Sequence, residues 1–309
     1  MRAKQDEVED LKNQLQASAE QQRRESAQAT LALSLLPLGE RQYRAQDFNG
    51  ALDTYQRALQ MNTENPVIHY RIGYIHVQSG QLDDAEHHLL EALRIDPSFA
   101  PALAALGYVY RRKGEQMKPS HDRDKMLNRA ESKLLEALEI SPKLVDDDDE
   151  SWWGSLGSLY RRRGQIDEAI RAYEAAAEVT PHSSYPFSNL ALLKVGDRDA
   201  MIDAYRRVER LARAEALAQV DNYWGYADLL TAQLALGKTD EAADTLITVF
   251  DTVPPNSPYA LDTLREALER LVGALGGPER APHIGEFIAR IRQHPHAKNT
   301  TVTTSGGSG

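Results

Sequence analysis

The chain has no cysteine. That excludes a disulfide framework, a thiolate zinc site and a cysteine nucleophile. It also fits a reducing compartment, so a cytoplasmic location is expected. Long apolar runs are missing: nowhere do about 18 apolar residues follow one another, and no membrane span is expected. Residues Met1 to Leu15 are charged and lack the apolar centre of a signal peptide. Positive charge is in deficit. Lys and Arg number 36 against 46 Asp and Glu, a formal net charge of −10, which argues against wholesale binding to nucleic acid or an anionic membrane. No stretch sustains period-two alternation, so essentially no sheet is expected. Catalytic signatures are also absent: no glycine-rich phosphate loop, no strand-borne nucleophile and no two-histidine metalloprotease helix. His87, His88, His294 and His296 read as surface residues without a third convergent metal ligand. The expectation is a non-enzymatic protein with no catalytic residue, cofactor, metal or small-molecule substrate.

What the chain has instead is a period. Its 309 residues allow two conventional domains or one extended array, and small residues decide between them. Gly39, Gly73 and Gly107 lie 34 residues apart, as do Ala51 and Ala85, Ala58 and Ala92, and Gly80 and Gly114. Gly157, Gly164, Ala169 and Ala176 repeat the internal order after a gap of 50 from Gly107. That gap implies two insertions, about 11 residues near Gln116–Met126, expected to enlarge an inter-helix turn, and about five around Val145–Asp149. Apolar residues between the small ones fall at helical spacing, such as Leu82, Ala85, Leu89, Ala92 and Leu93. Gly80 marks a turn and Pro97 a stop. Two antiparallel helices cross closely only where side chains are small, and one such pair cannot bury its apolar face alone, so neighbours must stack.

The order large–Leu–Gly–Tyr–Gly–Ala–aromatic–Ala–Pro resembles the tetratricopeptide-repeat (TPR) signature. Trp153, Leu156, Gly157, Tyr160, Gly164, Ala169, Tyr173, Ala176 and Pro181 carry it most fully, and 66–99 is a clean 34-residue copy. Residues 184–208 and 223–254 look like weaker copies. The resemblance implies an all-α, right-handed superhelical TPR solenoid of about five to six helix pairs. Expected repeats are 32–65, 66–99, 100–144 with its insertion, 145–183, 184–222 (degenerate) and 223–256. Residues 1–31 read as a charged helix in which Val8, Leu11 and Leu15 fit a short coiled-coil seam; a solvated extension and a dimerising segment both remain open. Pro37 is expected to kink or start the first repeat helix. Residues 257–293 read as two capping helices, with Leu261, Leu264, Leu268, Leu271 and Ile288 inward and Arg265, Glu266, Glu269 and Arg270 outward. Residues 294–309 read as a disordered tail ending in a linker-like Ser-Gly-Gly-Ser-Gly.

In TPR arrays the first helix of each pair lines the concave face, which is the usual ligand groove. The resemblance therefore places Arg44, Tyr70, Arg71, Tyr74, Gln78, Tyr108, Arg111, Arg112, Ser155, Ser158, Arg161 and Arg162 there. Arginines beside tyrosines suit an acidic, extended protein or peptide partner, since guanidinium groups bind carboxylates bidentately. Simple compensation of helix dipoles explains the same arginines, because Tyr110–Gly114 and Tyr160–Gly164 each read as a helix end, and a phosphate or nucleic-acid site is a third reading of them. A two-carboxylate clamp for chaperone tails is rejected: its positions fall on Leu36, Glu40, Arg71, Pro101 and Ala105, of which one is basic. Asp146–Glu150 reads either as a solvated acidic loop or as an internal mimic folded across the arginines; EF-hand spacing is lacking. The leading expectation is an interaction scaffold. Self-assembly, including a homo-oligomer through residues 1–31, and a regulatory role beside an enzyme are the rivals.

Overall fold

The computed structural model describes residues 2–193, 198–254, 257 and 259–295. Among these there are 14 α-helices: α1 (Arg2–Arg44), α2 (Phe48–Met61), α3 (Pro66–Gln78), α4 (Leu82–Ile95), α5 (Ala100–Gln116), α6 (His121–Ile140), α7 (Trp152–Arg162), α8 (Ile166–Val179), α9 (Tyr185–Leu193), α10 (Arg198–Ala218), α11 (Tyr223–Ala235), α12 (Thr239–Asp251), α13 (Ala260–Ala274) and α14 (Pro282–Gln293). The only β-pairing among the described residues is one isolated bridge. Each helix packs on its sequence neighbour from α1·α2 to α11·α12, the arrangement of a TPR solenoid with six helix pairs.

The glycine period has the expected cause. A Cβ on Gly39 would lie 2.5 Å from the Tyr55 ring, one on Gly107 2.8 Å from Leu134 and 3.0 Å from the Ala130 carbonyl, and one on Gly157 2.9 Å from Tyr173. Glycine and its partner are 16 residues apart in the first and last of these pairs and 27 in the second, where the insertion adds 11. Gly80, Gly164 and Gly237 close the turns between paired helices with φ of 73°, 74° and 74°, backbone that a side chain would strain. Polar caps begin several helices: Asp47, Asn65, Ser120, Ser151 and Asn222 each accept a backbone N–H of the following turn.

Three local expectations are revised. α1 runs unbroken through Pro37 and across residue 31, so the first repeat helix is the end of one 43-residue helix. The insertion near Gln116–Met126 lengthens helices instead of enlarging a turn. α5 has 17 residues and α6 has 20, separated by residues 117–120. Ser120 and the first-turn Asp122 and Asp124 favour an early start to α6, and Gly114 lies inside α5 against Leu127. The outward face of α13 is not simply solvated: Glu266 bonds Arg162 of α7, and Arg270 feels the charge of Arg161 beside it.

Buried apolar residues form two contiguous clusters, one spanning Ala32 to Ala172 and the other Ala191 to Ile291. Leu261, Leu264, Leu268, Leu271 and Ile288 belong to the second. His296 and the segment 299–309 lie outside the described residues. No described helix is long and apolar enough to cross a membrane.

Candidate binding groove

The first helices α3, α5 and α7 bring the Tyr and Arg positions to one surface, and the acidic run fills one end of it. Val145 pairs with Ser151, which makes residues 146–150 a tight turn between α6 and α7. The Asp146 carboxylate accepts the N–H of Asp148 at 3.0 Å and of Glu150 at 2.9 Å, and Asp149 takes φ of 61°. The turn projects Asp147 and Asp148 onto α1 and α3. Tyr70 Oη donates to Asp147 at 3.0 Å, and the Arg71 guanidinium bonds the other oxygen of that carboxylate while pairing with Glu40 at 3.0 Å. Asp148 accepts from Tyr43 Oη at 2.9 Å, Tyr74 Oη at 3.2 Å and Gln78 Nε2 at 2.9 Å. Five donors therefore hold two adjacent carboxylates of the turn. Tyr70 and Tyr74 are consequently buried. Burial, with the Asp147 carboxylate beside it, holds the Tyr70 phenol well above its usual range. Burial likewise raises Asp147, outweighing the opposing pull of Arg71.

Arginine dominates the next stretch. Arg111 is buried, stacks on Tyr108 with 4.7 Å to the ring centroid, and bonds Glu115 at 2.6 Å. Arg162 pairs with the same Glu115 at 3.0 Å and with Glu266 of α13 at 2.9 Å. Arg112 lies over the Tyr259 ring, 4.1 Å from its centroid. Tyr259 also reaches Gln116 at 3.3 Å and the Gly80 carbonyl at 3.4 Å, so the chain before α13 crosses back to the second repeat. Trp152 is buried between the Tyr74 and Tyr108 rings, edge to face with each.

The expected residues thus divide. Tyr70, Arg71, Tyr74 and Gln78 bind the acidic turn. Tyr108, Arg111, Arg112 and Arg162 form a network with Glu115, Tyr259 and Glu266. Arg44 is exposed and pairs with Glu40 at 3.0 Å. Ser158 does not line an open surface; it is buried, bonded to Tyr173 and Tyr185 at 3.0 Å each. The Arg161 side chain has no ion pair or hydrogen bond among the described residues, and its Nε is buried. Sequence reasoning missed Tyr43, Glu115, Tyr259 and Arg270. Tyr43 carried a signal, an aromatic in the last turn of a first helix, whereas Tyr259 and Arg270 lie outside the repeat register.

Behind the acidic turn lies a carboxyl cluster. Ser183 Oγ donates to Glu150 at 2.6 Å, and Ser184 Oγ lies 2.7 Å from Glu215 and 2.9 Å from Asp228. One hydroxyl has one proton to donate, so the second carboxyl must itself donate, which requires that it be protonated. Burial accordingly lifts Asp228 to about 7 and Glu150 to about 8. No group of described residues is arranged to hold a metal ion.

Comparison with known proteins agrees with this architecture. Over 191 residues the chain is 20% identical to the TPR repeat-containing protein MJ1428 of Methanocaldococcus jannaschii, covering 58% of this chain and 31% of that protein. Over 73 residues it is 38% identical to the TPR repeat-containing thioredoxin TTL4 of Arabidopsis thaliana, covering 24% of this chain and 11% of that protein. The chain spans less than a third of the length of either relative. The thermophilic TPR protein TTC0263 of Thermus thermophilus shares the fold, with a TM-score of 0.51 and 21% identity over 70% of this chain and 99% of that one. Folds of this type generally serve as protein-interaction scaffolds and are typically non-enzymatic. Residues 15–180, more than half of the chain, match the cilia and flagella-associated protein 70 middle TPR-like domain, and the chain belongs to that family.

Proposed function

We propose that this protein is a scaffold that binds an acidic, extended segment of a partner protein along the concave face. In this reading Asp146–Glu150 is an internal stand-in that holds the N-terminal end of the groove until it is displaced. One observation carries the reading. Tyr43, Tyr70, Arg71, Tyr74 and Gln78, from two helices, converge on two adjacent carboxylates presented by a turn. A surface built to desolvate carboxylates in this way recognises the same chemistry when another chain presents it. Arg44 at the rim, the network of Tyr108, Arg111, Arg112 and Arg162, and Arg161 outside that network continue arginine side chains along the groove.

The test is fluorescence anisotropy with a labelled peptide of the loop's own sequence, Lys143 to Ser151. Wild type binds weakly because the turn competes at high effective concentration. Asp147→Asn with Asp148→Asn removes both loop carboxylates from the groove and should tighten binding at least tenfold. Adding Arg71→Gln to that variant should reverse the gain. Equal affinity for wild type and the loop variant rules the reading out.

A second reading rests on a different surface. Leu11 and Leu15 on α1 are 60% and 73% exposed, a strip that suits pairing with a second copy of the same helix.

A further inference from the structure

Two guanidinium groups where α13 meets the end of α7 have no ion pair among the described residues. Three neighbours, Arg111, Arg112 and Arg162, share the carboxylates of Glu115 and Glu266. Nothing is left for the other two. The side chains of Arg161 on α7 and Arg270 on α13 have no ion pair or hydrogen bond among the described residues, and the Nε atoms of both are buried and unpartnered, as is that of Arg111. The Arg162–Glu266 bridge sets the end of α7 against α13, and Arg161 and Arg270 lie near enough there for the charge of one to act on the other. Burial, and then the charge of Arg161, lowers Arg270 to about 10, a mark of close like charges. The carboxylate that acts on Arg270 most strongly is Glu266, which Arg162 already engages.

The helix dipole does not settle this account. The C-terminus of α7 offers roughly half a negative charge, and Arg161, Arg162 and Arg163 share it. Burying even part of an unpaired guanidinium is costly, and two together more so. Both side chains are only partly buried, so a solute can reach them. A single carboxylate would neutralise one of the pair. A phosphate group carries about −1.5 to −2 charge at neutral pH and three acceptor oxygens, enough for two guanidinium forks.

We propose that Arg161 and Arg270, backed by Arg111 and Arg162, form a binding site for a phosphate dianion, free or carried on a monoester. The site needs no movement of the acidic turn, so it stands or falls apart from the scaffold reading.

The experiment is isothermal titration of the full chain with inorganic phosphate at pH 7.5 and constant ionic strength. One site per chain is expected. Arg161→Gln and Arg270→Gln should each weaken it at least tenfold, while Arg57→Gln, on the exposed face of α2, should leave it unchanged. If either glutamine variant loses helical circular dichroism, the lysine variant replaces it; lysine keeps the charge but not the fork, so binding should still fall severalfold. Acetate should bind at least tenfold more weakly than phosphate. A phosphoserine peptide binding more tightly than inorganic phosphate would mean the group arrives on a chain; the reverse order would mean a free anion. No phosphate binding to wild type, equal binding of acetate, or phosphate binding that survives both substitutions overturns the proposal.

Discussion

At the scale of single residues, the repeat is enforced by atoms that are not there. Gly107 packs against the α6 backbone, with the place of a Cβ 3.0 Å from the Ala130 carbonyl and 3.1 Å from the Leu134 nitrogen. Backbone cannot swing aside as a side-chain tip can, so Gly107→Ala should lower stability by about 1–3 kcal/mol. Gly273 supplies the contrast. It also lies inside a helix, α13, but a Cβ there meets nothing within 4 Å. Gly273→Ala should therefore raise stability by roughly 0.5–1 kcal/mol through helix propensity and reduced freedom of the unfolded chain. Urea unfolding of both variants measures the two shifts, and shifts of the same sign would refute the packing argument. This distinction shows what was legible. The 34-residue interval identified Gly39, Gly73 and Gly107 as crossing points, because close approach leaves a record in composition. Gly114 keeps the interval but lies within α5, since the lengthened helix carries it past the place where a turn would fall.

At the scale of elements, the acidic turn links the groove to the carboxyl cluster behind it, and titration of that cluster should register in stability. Glu150 at about 8 and Asp228 at about 7 lie far above ordinary carboxylates, so the folded state binds their protons more tightly than the unfolded state does. Their contribution is complete below about pH 4 and is lost as pH rises through 7 to 8. His88 acts in the opposite direction. Burial, with His69, His76 and His87 around it, lowers it to about 4, so stability is lost as pH falls below the ordinary histidine value near 6.5. Between pH 6.5 and 9 the carboxyls act alone. Melting temperature should fall across that window in wild type and fall less in Glu150→Gln, which cannot ionise; parallel profiles would show that Glu150 is not the titrating group. The sequence displayed the run of aspartates but left its place open between solvent and groove. Composition cannot decide that, because the answer depends on Tyr43, Tyr70 and Tyr74 being oriented by helices 74 to 105 residues away in sequence. The histidines illustrate the same limit: His87 and His88 read as surface residues, yet His88 packs on His69 and His76 of the preceding helix.

At the scale of the whole molecule, a solenoid should contact itself only between neighbours, and this one departs from that rule at both ends. Tyr259 reaches back to Gly80 and Gln116, and Glu266 to Arg162, so the C-terminal helices lie against the groove as well as ending the stack. Nothing in a 34-residue period encodes such contacts, and the outward face assigned to Glu266 and Arg270 was misjudged for that reason. The N-terminal end departs the other way. α1 has 43 residues, about 65 Å at 1.5 Å per residue. Residues 11–28 are exposed throughout, and Leu31 and Leu33 are 54% and 49% exposed on the approach to the first repeat. Its mean hydropathy is low, and a helix without tertiary contacts gains little beyond its own hydrogen bonds. Leu11 and Leu15, four residues apart, share one face of it and have no core to enter. Pairing with a second α1 would bury both and convert a marginal helix into half of a two-helix seam. Light scattering across concentration should then show mass rising toward twice the 34.5 kDa of one chain. Removing residues 1–31 should hold it at one chain while the repeats keep their helical signal. Leu11→Ala with Leu15→Ala should raise the dimer dissociation constant at least tenfold, because each buried leucine contributes about 1.5–3 kcal/mol. A full-length chain that stays monomeric at high micromolar concentration would leave α1 as a solvated spur, and its exposed leucines would then need another occupant.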